Sequence, residues 1–407
     1  MNNVIDKETH IVFWGAILAF TIYQVFNFWY LPHGFVFPDE DRFYYSALKF
    51  LETGEFWSFN YRQWDMPGIA IIYSNIAYFF SEESEFILAT RVFQSLLLIS
   101  NAIMLKKISY IIFKNKFSSI FVYLSVLFYP FFVFYQGLIL SENLFIFFMI
   151  LGFFMLYKWS DTGFELNRYF YTSILFLTVS VYMKATLTFL PPLMATTFYL
   201  VNRFSIKHTS KVMLISAGVY ILLMSPWWIR SYVLFDKVVP FTTTSTMNMY
   251  LGNNPKNISG GCDWAQDAEI KLYSTYEVSE MEYMNIYTQA TRKFIKENPD
   301  RFFSLIWLKF KRFWNVVPNH ENYSQGHYKY LSIFSYGIIL LLSMVSFFIY
   351  RREYKTLIPI YILILYFTFI YSITIASIRY RLPIEPFLIV LASGTIAVVY
   401  NKQKGKV

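Results

Sequence analysis

An all-helical membrane protein that crosses the bilayer many times is the fold class this sequence predicts, and three observations predict it. The 407 residues are 56% hydrophobic and 22% aromatic but only 15% charged, well below the charge of a soluble protein of this size. Apolar runs long enough to cross a bilayer, about 18 residues or more, recur along the whole chain. The basic residues behind the net charge of +9 sit in short clusters between those runs. That placement is a topology signal rather than a nucleic-acid-binding face, so no nucleic acid is expected as a partner.

The first run, 11–31, is too long and aromatic for a cleaved signal and is read as a retained span. Further apolar segments follow at 86–105, 117–136, 139–157, 169–183, 186–201, 212–229, 330–350, 357–376 and 384–400, which gives about ten transmembrane helices. The fifth and sixth are short and divided around Lys184. The stretch from Gly68 to Phe80 is too short to span and is expected at the interface.

With ten spans the basic clusters fall on one face. They are Lys106, Lys107, Lys114 and Lys116; Lys158 and Arg168; Arg203, Lys207 and Lys211; Arg351, Arg352 and Lys355; and Lys402, Lys404 and Lys406. The positive-inside rule makes that face cytoplasmic. The predicted organisation is an N-terminal transmembrane module over 1–230 with a first outer loop at 32–85, a second outer region over 231–329, and C-terminal transmembrane helices over 330–407. Within the second region, Arg301–Trp314 mixes cations with aromatics and reads as a helix lying in the interface. The single cysteine, Cys262, allows neither an intramolecular disulfide nor a thiolate metal site. No internal repeat is visible.

Ionisable residues converge on the outer membrane edge of this topology. Asp39, Glu40, Asp41 and Arg42 follow the first span, Glu142 opens the fourth, Lys184 divides the fifth from the sixth, Arg230 closes the seventh, and Arg379 and Arg381 precede the tenth. Charge at membrane depth is costly, so such groups usually face a polar cavity and mark a functional pathway. Cations opposite carboxylates suit an anion such as a phosphate at the membrane surface. Each residue also has a plainer reading. The acids favour a helix N-terminus, Glu142 could sit in water with Ser141 as cap, Asp65 suits a loop before Pro67, and the cations could snorkel to the interface.

Taken in order, Pro38-Asp39-Glu40-Asp41-Arg42-Phe43, Trp64-Asp65-Met66-Pro67-Gly68, Ser141-Glu142-Asn143, Met183-Lys184, Pro226-Trp227-Trp228-Ile229-Arg230-Ser231-Tyr232 and Arg379-Tyr380-Arg381-Leu382-Pro383-Ile384-Glu385-Pro386 resemble the integral-membrane glycosyltransferases of the C fold. These use polyprenyl-phosphate sugars and include the protein O-mannosyltransferases and the aminoarabinose transferases. The ordered set carries the resemblance, not any one motif. Met66 stands where relatives often carry lysine, and Ala185 where they carry glycine.

The resemblance implies a membrane enzyme that moves a sugar from a polyprenyl-phosphate donor to a lipid, surface-glycan or protein acceptor, with inversion, on the outer (periplasmic or exterior) face of the cytoplasmic membrane. It implies catalytic roles for Asp39, Glu40 and Glu142, with Asp39 as acid-base residue. It places the lipid phosphate on Lys184, Arg230, Arg379, Arg381 and Arg42, and membrane lipids around the spans. A divalent metal held by Asp65, with Asp41 or its neighbours, is a cofactor it leaves open. Two other classes compete: a polysaccharide repeat-unit polymerase, which should depend on outer arginines without an acidic motif after the first span, and a transporter, with charges near the bilayer midplane.

Overall fold

The computed structural model describes residues 2–203, 205–261, 278–319 and 324–404; Cys262 lies outside them. Apart from turns and one isolated bridge between Ser58 and Tyr61, the described secondary structure is helical. Six of its helices are long and apolar enough to cross a membrane. The first is α1 (Asn2–Val25), which runs on through a π turn at Phe26–Tyr30. After α2 (Pro38–Thr53) and the short apolar α3 (Gly68–Phe79) comes α4 (Glu83–Phe113). Helices α5 (Lys116–Leu127) and α6 (Pro130–Gln136) are bent by 47° and count as a seventh crossing if taken together. Next are α7 (Ser141–Asp161), α8 (Arg168–Met183), α9 (Leu190–Arg203) and α10 (Ile206–Phe235).

Three of the ten expected segments do not meet the length and composition of a span by themselves, each for a local reason. Helices α8 and α9 have only 16 and 14 residues, because the backbone breaks between them at Lys184–Phe189. Thr188 there adopts φ +38°, a left-handed value that a β-branched residue rarely holds. Tyrosines from neighbouring helices occupy the freed polar groups of this break. The Tyr220 hydroxyl donates to the Thr188 carbonyl at 2.6 Å and that of Tyr366 to Thr186 at 2.8 Å. Irregular backbone at membrane depth persists only when it is satisfied in this way. The third, α18 (Glu385–Gln403), is buried on all sides from Glu385 to Thr395, so its small and polar residues face protein rather than lipid. Its Ser393 meets Ser109 at 2.9 Å.

The basic clusters gather at one end of the bundle, as the sequence pattern anticipates. Lys106 and Lys116 pair with Glu8 (2.5 and 3.6 Å), Lys114 with Asp161, and Arg203 donates to the Gly163 carbonyl. Asn115 bonds Asn401, and Asn202 bonds the Lys355 carbonyl.

At the opposite end the two long loop regions pack into one layer. The second contains α11 (Thr244–Leu251), α12 (Glu280–Glu297) and α13 (Pro299–Trp314), followed by α14 (Gly326–Ser332), α15 (Ile338–Ile349), α16 (Tyr354–Ile373) and α17 (Ile378–Arg381). A satellite core of Tyr61, Trp64, Met247, Tyr250, Leu251, Tyr283, Tyr287 and Ile375 joins the two regions. Buried Glu280 clamps them, accepting from the backbone N–H of Arg62 and Gln63 and from the Thr243 hydroxyl, all at 2.7–2.9 Å. Gly252 meets the end of α16 so closely that a Cβ there would lie 1.8 Å from the Thr374 carbonyl oxygen. On α13, Phe303 and Trp307 are exposed, while Lys309 points inward and donates to Asn253, Ile373 and Thr374. Desolvation pushes the Lys309 ammonium down to about 7, and three oxygen acceptors are what a buried ammonium needs.

Candidate active site

Three consecutive acids open α2, and helix geometry sends them three ways, since successive residues point about 100° apart. Asp41 is exposed, and its carboxylate accepts from the N–H of Arg42 at 2.6 Å. Glu40 turns inward and is fully buried. Its carboxylate accepts the backbone N–H of Phe37 (2.8 Å), Val36 (3.1 Å) and Ile139 (3.1 Å). The first of these is half of a capping box; the last ties the start of α2 to the loop before α7. Burial raises the Glu40 pKa, and the three N–H donors offset part of that rise. Glu40 thus shapes the site from behind rather than facing it. Asp39 alone of the three enters a charge cluster.

That cluster alternates in sign. Asp39 Oδ2 accepts from Arg379 Nη1 at 2.7 Å. Arg379 Nε and Nη2 reach the two oxygens of Glu142 at 2.6 and 3.2 Å, a bidentate fork. Glu142 Oε1 also accepts from Lys184 Nζ at 2.7 Å. In the other direction Asp39 Oδ1 accepts from Arg42 Nη2 at 3.1 Å, and Arg42 Nη1 donates to Asp65 Oδ2. The row therefore reads Asp65, Arg42, Asp39, Arg379, Glu142, Lys184: three carboxylates and three cations drawn from α2, the loop before α3, α7, the α8–α9 break and α17.

Each position has a structural cause. Glu142 is in the first turn of α7, where the N-cap is Leu140 rather than Ser141, and it is wholly buried. The reading of Glu142 as a water-exposed, Ser141-capped helix start therefore does not apply. Lys184 sits in extended backbone at the helix break, which frees its side chain to lie over the Tyr380 ring at 5.1 Å. Tyr380 is fixed by near-parallel stacking on Tyr371 at 4.7 Å. Arg379 and Arg381 are two residues apart on α17, so they leave it on nearly opposite sides.

Arg381 accordingly lies outside the row. It is fully buried, with Nε on Glu385 at 2.7 Å, Nη1 on the carbonyls of Phe313 and Asn315, and its guanidinium 3.4 Å from the Tyr336 ring centre. It locks α13 to α18. Arg230 also has other partners: the Arg62 carbonyl at 3.0 Å and the rings of Phe56 and Trp227. Its Nη1 is buried without a hydrogen-bond partner, and neighbouring Arg62 pairs with Glu55 at 2.5 Å.

Exposure separates the roles within the row. Glu142 has none, Asp65 is 25% exposed and occupied by Arg42 and Ser58, and the Asp39 side chain is 39% exposed, so Asp39 is the carboxylate of the row most open to a substrate. Burial works to raise its pKa, but the guanidiniums of Arg379 and Arg42 outweigh burial and hold it below the ordinary carboxylate range.

A resident divalent ion does not fit this arrangement. Among the described residues no three His, Cys, Asp or Glu side chains converge as metal ligands. Asp65 Oδ2 is already taken by Arg42 and by the Ser58 hydroxyl (2.7 Å), and Asp41 points elsewhere. Sequence reasoning did not single out Ser58, Tyr380 or Glu280. Tyr380 lies between Arg379 and Arg381 in the C-terminal motif, and Glu280 carries no pattern in the sequence that marks its role.

No protein-family model matches the chain, and no curated protein does. Solved structures do match. The archaeal oligosaccharyltransferase AglB from Archaeoglobus fulgidus, in complex with an inhibitory peptide and a dolichol-phosphate, aligns over 97% of this chain and 50% of its own with a TM-score of 0.56 and 12% identity. The same enzyme in complex with Zn and sulfate aligns over 96% and 50%, with a TM-score of 0.53 and 12% identity. The chain has the C-type glycosyltransferase fold. It spans about half the length of the oligosaccharyltransferase structures it matches. ArnT from Cupriavidus metallidurans bound to undecaprenyl phosphate aligns over 96% of this chain and 61% of its own, with a TM-score of 0.47 and 13% identity.

Proposed function

We propose that the chain is a glycosyltransferase that moves a sugar from a polyprenyl-phosphate carrier to an acceptor hydroxyl on the outer face of the cytoplasmic membrane. One observation carries this reading: a reachable carboxylate, Asp39, shares Arg379 with a buried carboxylate that also holds Lys184. Two cations with an adjoining base are what displacement of a phosphate leaving group requires. The basic clusters at the far end of the bundle support the outer-face assignment.

In the reaction the acceptor oxygen forms a bond to the anomeric carbon and passes its proton to Asp39. The bond from that carbon to the phosphate oxygen breaks, and its electron pair leaves with the carrier phosphate. Arg379 and Lys184 stabilise the charge gathering on that phosphate, and Glu142 fixes both cations without itself meeting the substrate. An incoming phosphate competes with Asp39 for Arg379, so donor binding raises the basicity of Asp39 at the moment it is needed. Arg230 and Arg62 anchor the first outer loop against α10, and Arg381 and Glu40 hold the frame.

Displacement without a covalent intermediate inverts the sugar. The expected product therefore has the anomeric configuration opposite to the donor's, read by NMR of the glycosylated acceptor; retention would contradict the single displacement.

The direction of the Asp39 shift gives a pH expectation. A carboxylate held below its usual range stays ionised as pH falls, so its pairing with Arg379 is fully present above the ordinary value of about 4 and is lost only below it. At limiting donor, where the groups of the donor-free protein govern the rate (kcat/KM), transfer in membranes should stay flat from about pH 7 to about pH 5. A loss centred near pH 6 would point to a different titrating group.

A further inference from the structure

We infer that Arg42 occupies the place of a divalent cation between Asp39 and Asp65, and that this makes the site metal-independent. The inference rests on the glycosyltransferase reading for its catalytic meaning, but its binding test does not. Two carboxylates facing one another at the mouth of a site need a cation between them. A divalent ion ligated by oxygens answers that need in many enzymes. Here a guanidinium answers it: Nη2 is on Asp39 Oδ1 at 3.1 Å and Nη1 on Asp65 Oδ2.

The position is built, not incidental. The Arg42 side chain is only 11% exposed. Its guanidinium lies 4.6 Å from the Phe43 ring centre and 5.8 Å from that of Phe59. Phe59 reaches it from a tight turn closed by reciprocal backbone hydrogen bonds between Ser58 and Tyr61 at 2.9 and 3.0 Å. Phe59 itself has φ +54°, a left-handed conformation that costs a bulky residue energy. The same turn presents the Ser58 hydroxyl to Asp65 Oδ2. Ser58 is held in turn by Ser46 at 2.9 Å.

Charge balance points the same way. Asp39, Asp65 and Glu142 are matched one for one by Arg42, Arg379 and Lys184. An added divalent ion would either evict Arg42 or leave the row with two surplus positive charges in a partly dehydrated site. The other nearby acids offer no relief, since Glu40 is committed to three backbone N–H groups and Asp41 is turned to its own backbone. Arg42 is thus a positioning residue that holds Asp39 for catalysis without touching the reacting atoms.

The test uses the purified full-length protein in lipid nanodiscs. Mn²⁺ binding is followed by electron paramagnetic resonance, and transfer is followed with and without a chelator. Wild type is expected to bind no stoichiometric Mn²⁺ and to lose no activity on chelation. Arg42→Ala leaves Asp39 facing Asp65 with no cation between them. It should bind one Mn²⁺ per chain, and Arg42→Ala with Asp65→Asn should lose that ion again. Without the ion, Arg42→Ala should transfer about 10²-fold more slowly because Asp39 is no longer positioned, and added Mn²⁺ should restore part of the rate.

A wild-type protein that holds one ion per chain, or whose transfer stops on chelation, overturns the inference; so does an Arg42→Ala protein that folds and binds no Mn²⁺. If Arg42→Ala does not fold, the two wild-type measurements still decide. If wild type transfers no sugar at all, the glycosyltransferase reading fails, while the Mn²⁺ measurements still judge the role of Arg42.

Discussion

Replacing Asp39 with Asn should lower sugar transfer by about 10²–10⁴-fold, the usual contribution of a positioned general base, and leave the protein folded. Asn keeps the size of the side chain and one oxygen acceptor for a guanidinium, so the contact to Arg379 or to Arg42 can persist in part. What it removes is the site that takes the acceptor's proton. Asp39 is partly exposed, so losing its charge leaves Arg379 and Arg42 with their other carboxylates, Glu142 and Asp65, and with access to water. Donor affinity should therefore hold or rise, because Arg379 is freed for the phosphate. Initial rates at saturating donor, together with thermal unfolding of the purified variant, separate the two effects. A loss of rate with an unchanged melting temperature is the expected pattern.

Glu142→Gln should behave in the opposite way and damage the fold first. Glu142 is fully buried at the start of α7 and carries both Arg379 and Lys184. Neutralising it leaves two cations without their shared counter-charge. Breaking a buried ion pair from one side costs about 3–5 kcal/mol. The expected result is a lower yield and a markedly lower melting temperature. Adding Lys184→Met to Glu142→Gln should recover part of that stability, because it removes one orphaned charge, but not activity. If Glu142→Gln melts like wild type, the buried charge network is not what holds α7 to the α8–α9 break. The pairing of variants matters, since both residues belong to one network and their effects will not add.

Much of the architecture was legible because it follows from one-dimensional signals. Apolar length marked most of the spans, and the alternation of basic loops sorted the two ends, the basic one being knit together by contacts such as Lys106–Glu8 and Asn115–Asn401. The ordered motifs also brought Asp39, Glu142, Lys184 and Arg379 to attention although they are up to 340 positions apart. What the sequence hid is direction. Asp39, Glu40 and Asp41 are neighbours of one chemical type, and only the helix turn assigns one to the site, one to the backbone and one to solvent. Arg379 and Arg381 are divided by the same geometry. Arg42 looked like a phosphate ligand because its charge was visible, while its pairing with two carboxylates, one of them 23 residues away in the stretch before α3, was not. The break at Lys184 appeared in the sequence only as two short segments. Its cause is a backbone turn held by Tyr220 and Tyr366, and it left no mark in hydropathy.

The most direct test of the proposed chemistry is sugar transfer in membranes containing either wild type or Asp39→Asn, supplied with a panel of radiolabelled polyprenyl-phosphate sugars. The expected result is that one donor loses its label to an acceptor in wild-type membranes and keeps it in membranes with equal amounts of folded Asp39→Asn. Equal transfer by both proteins would contradict the assignment of Asp39. A wild type that leaves every donor intact but lengthens lipid-linked oligosaccharides would instead establish the polymerase reading.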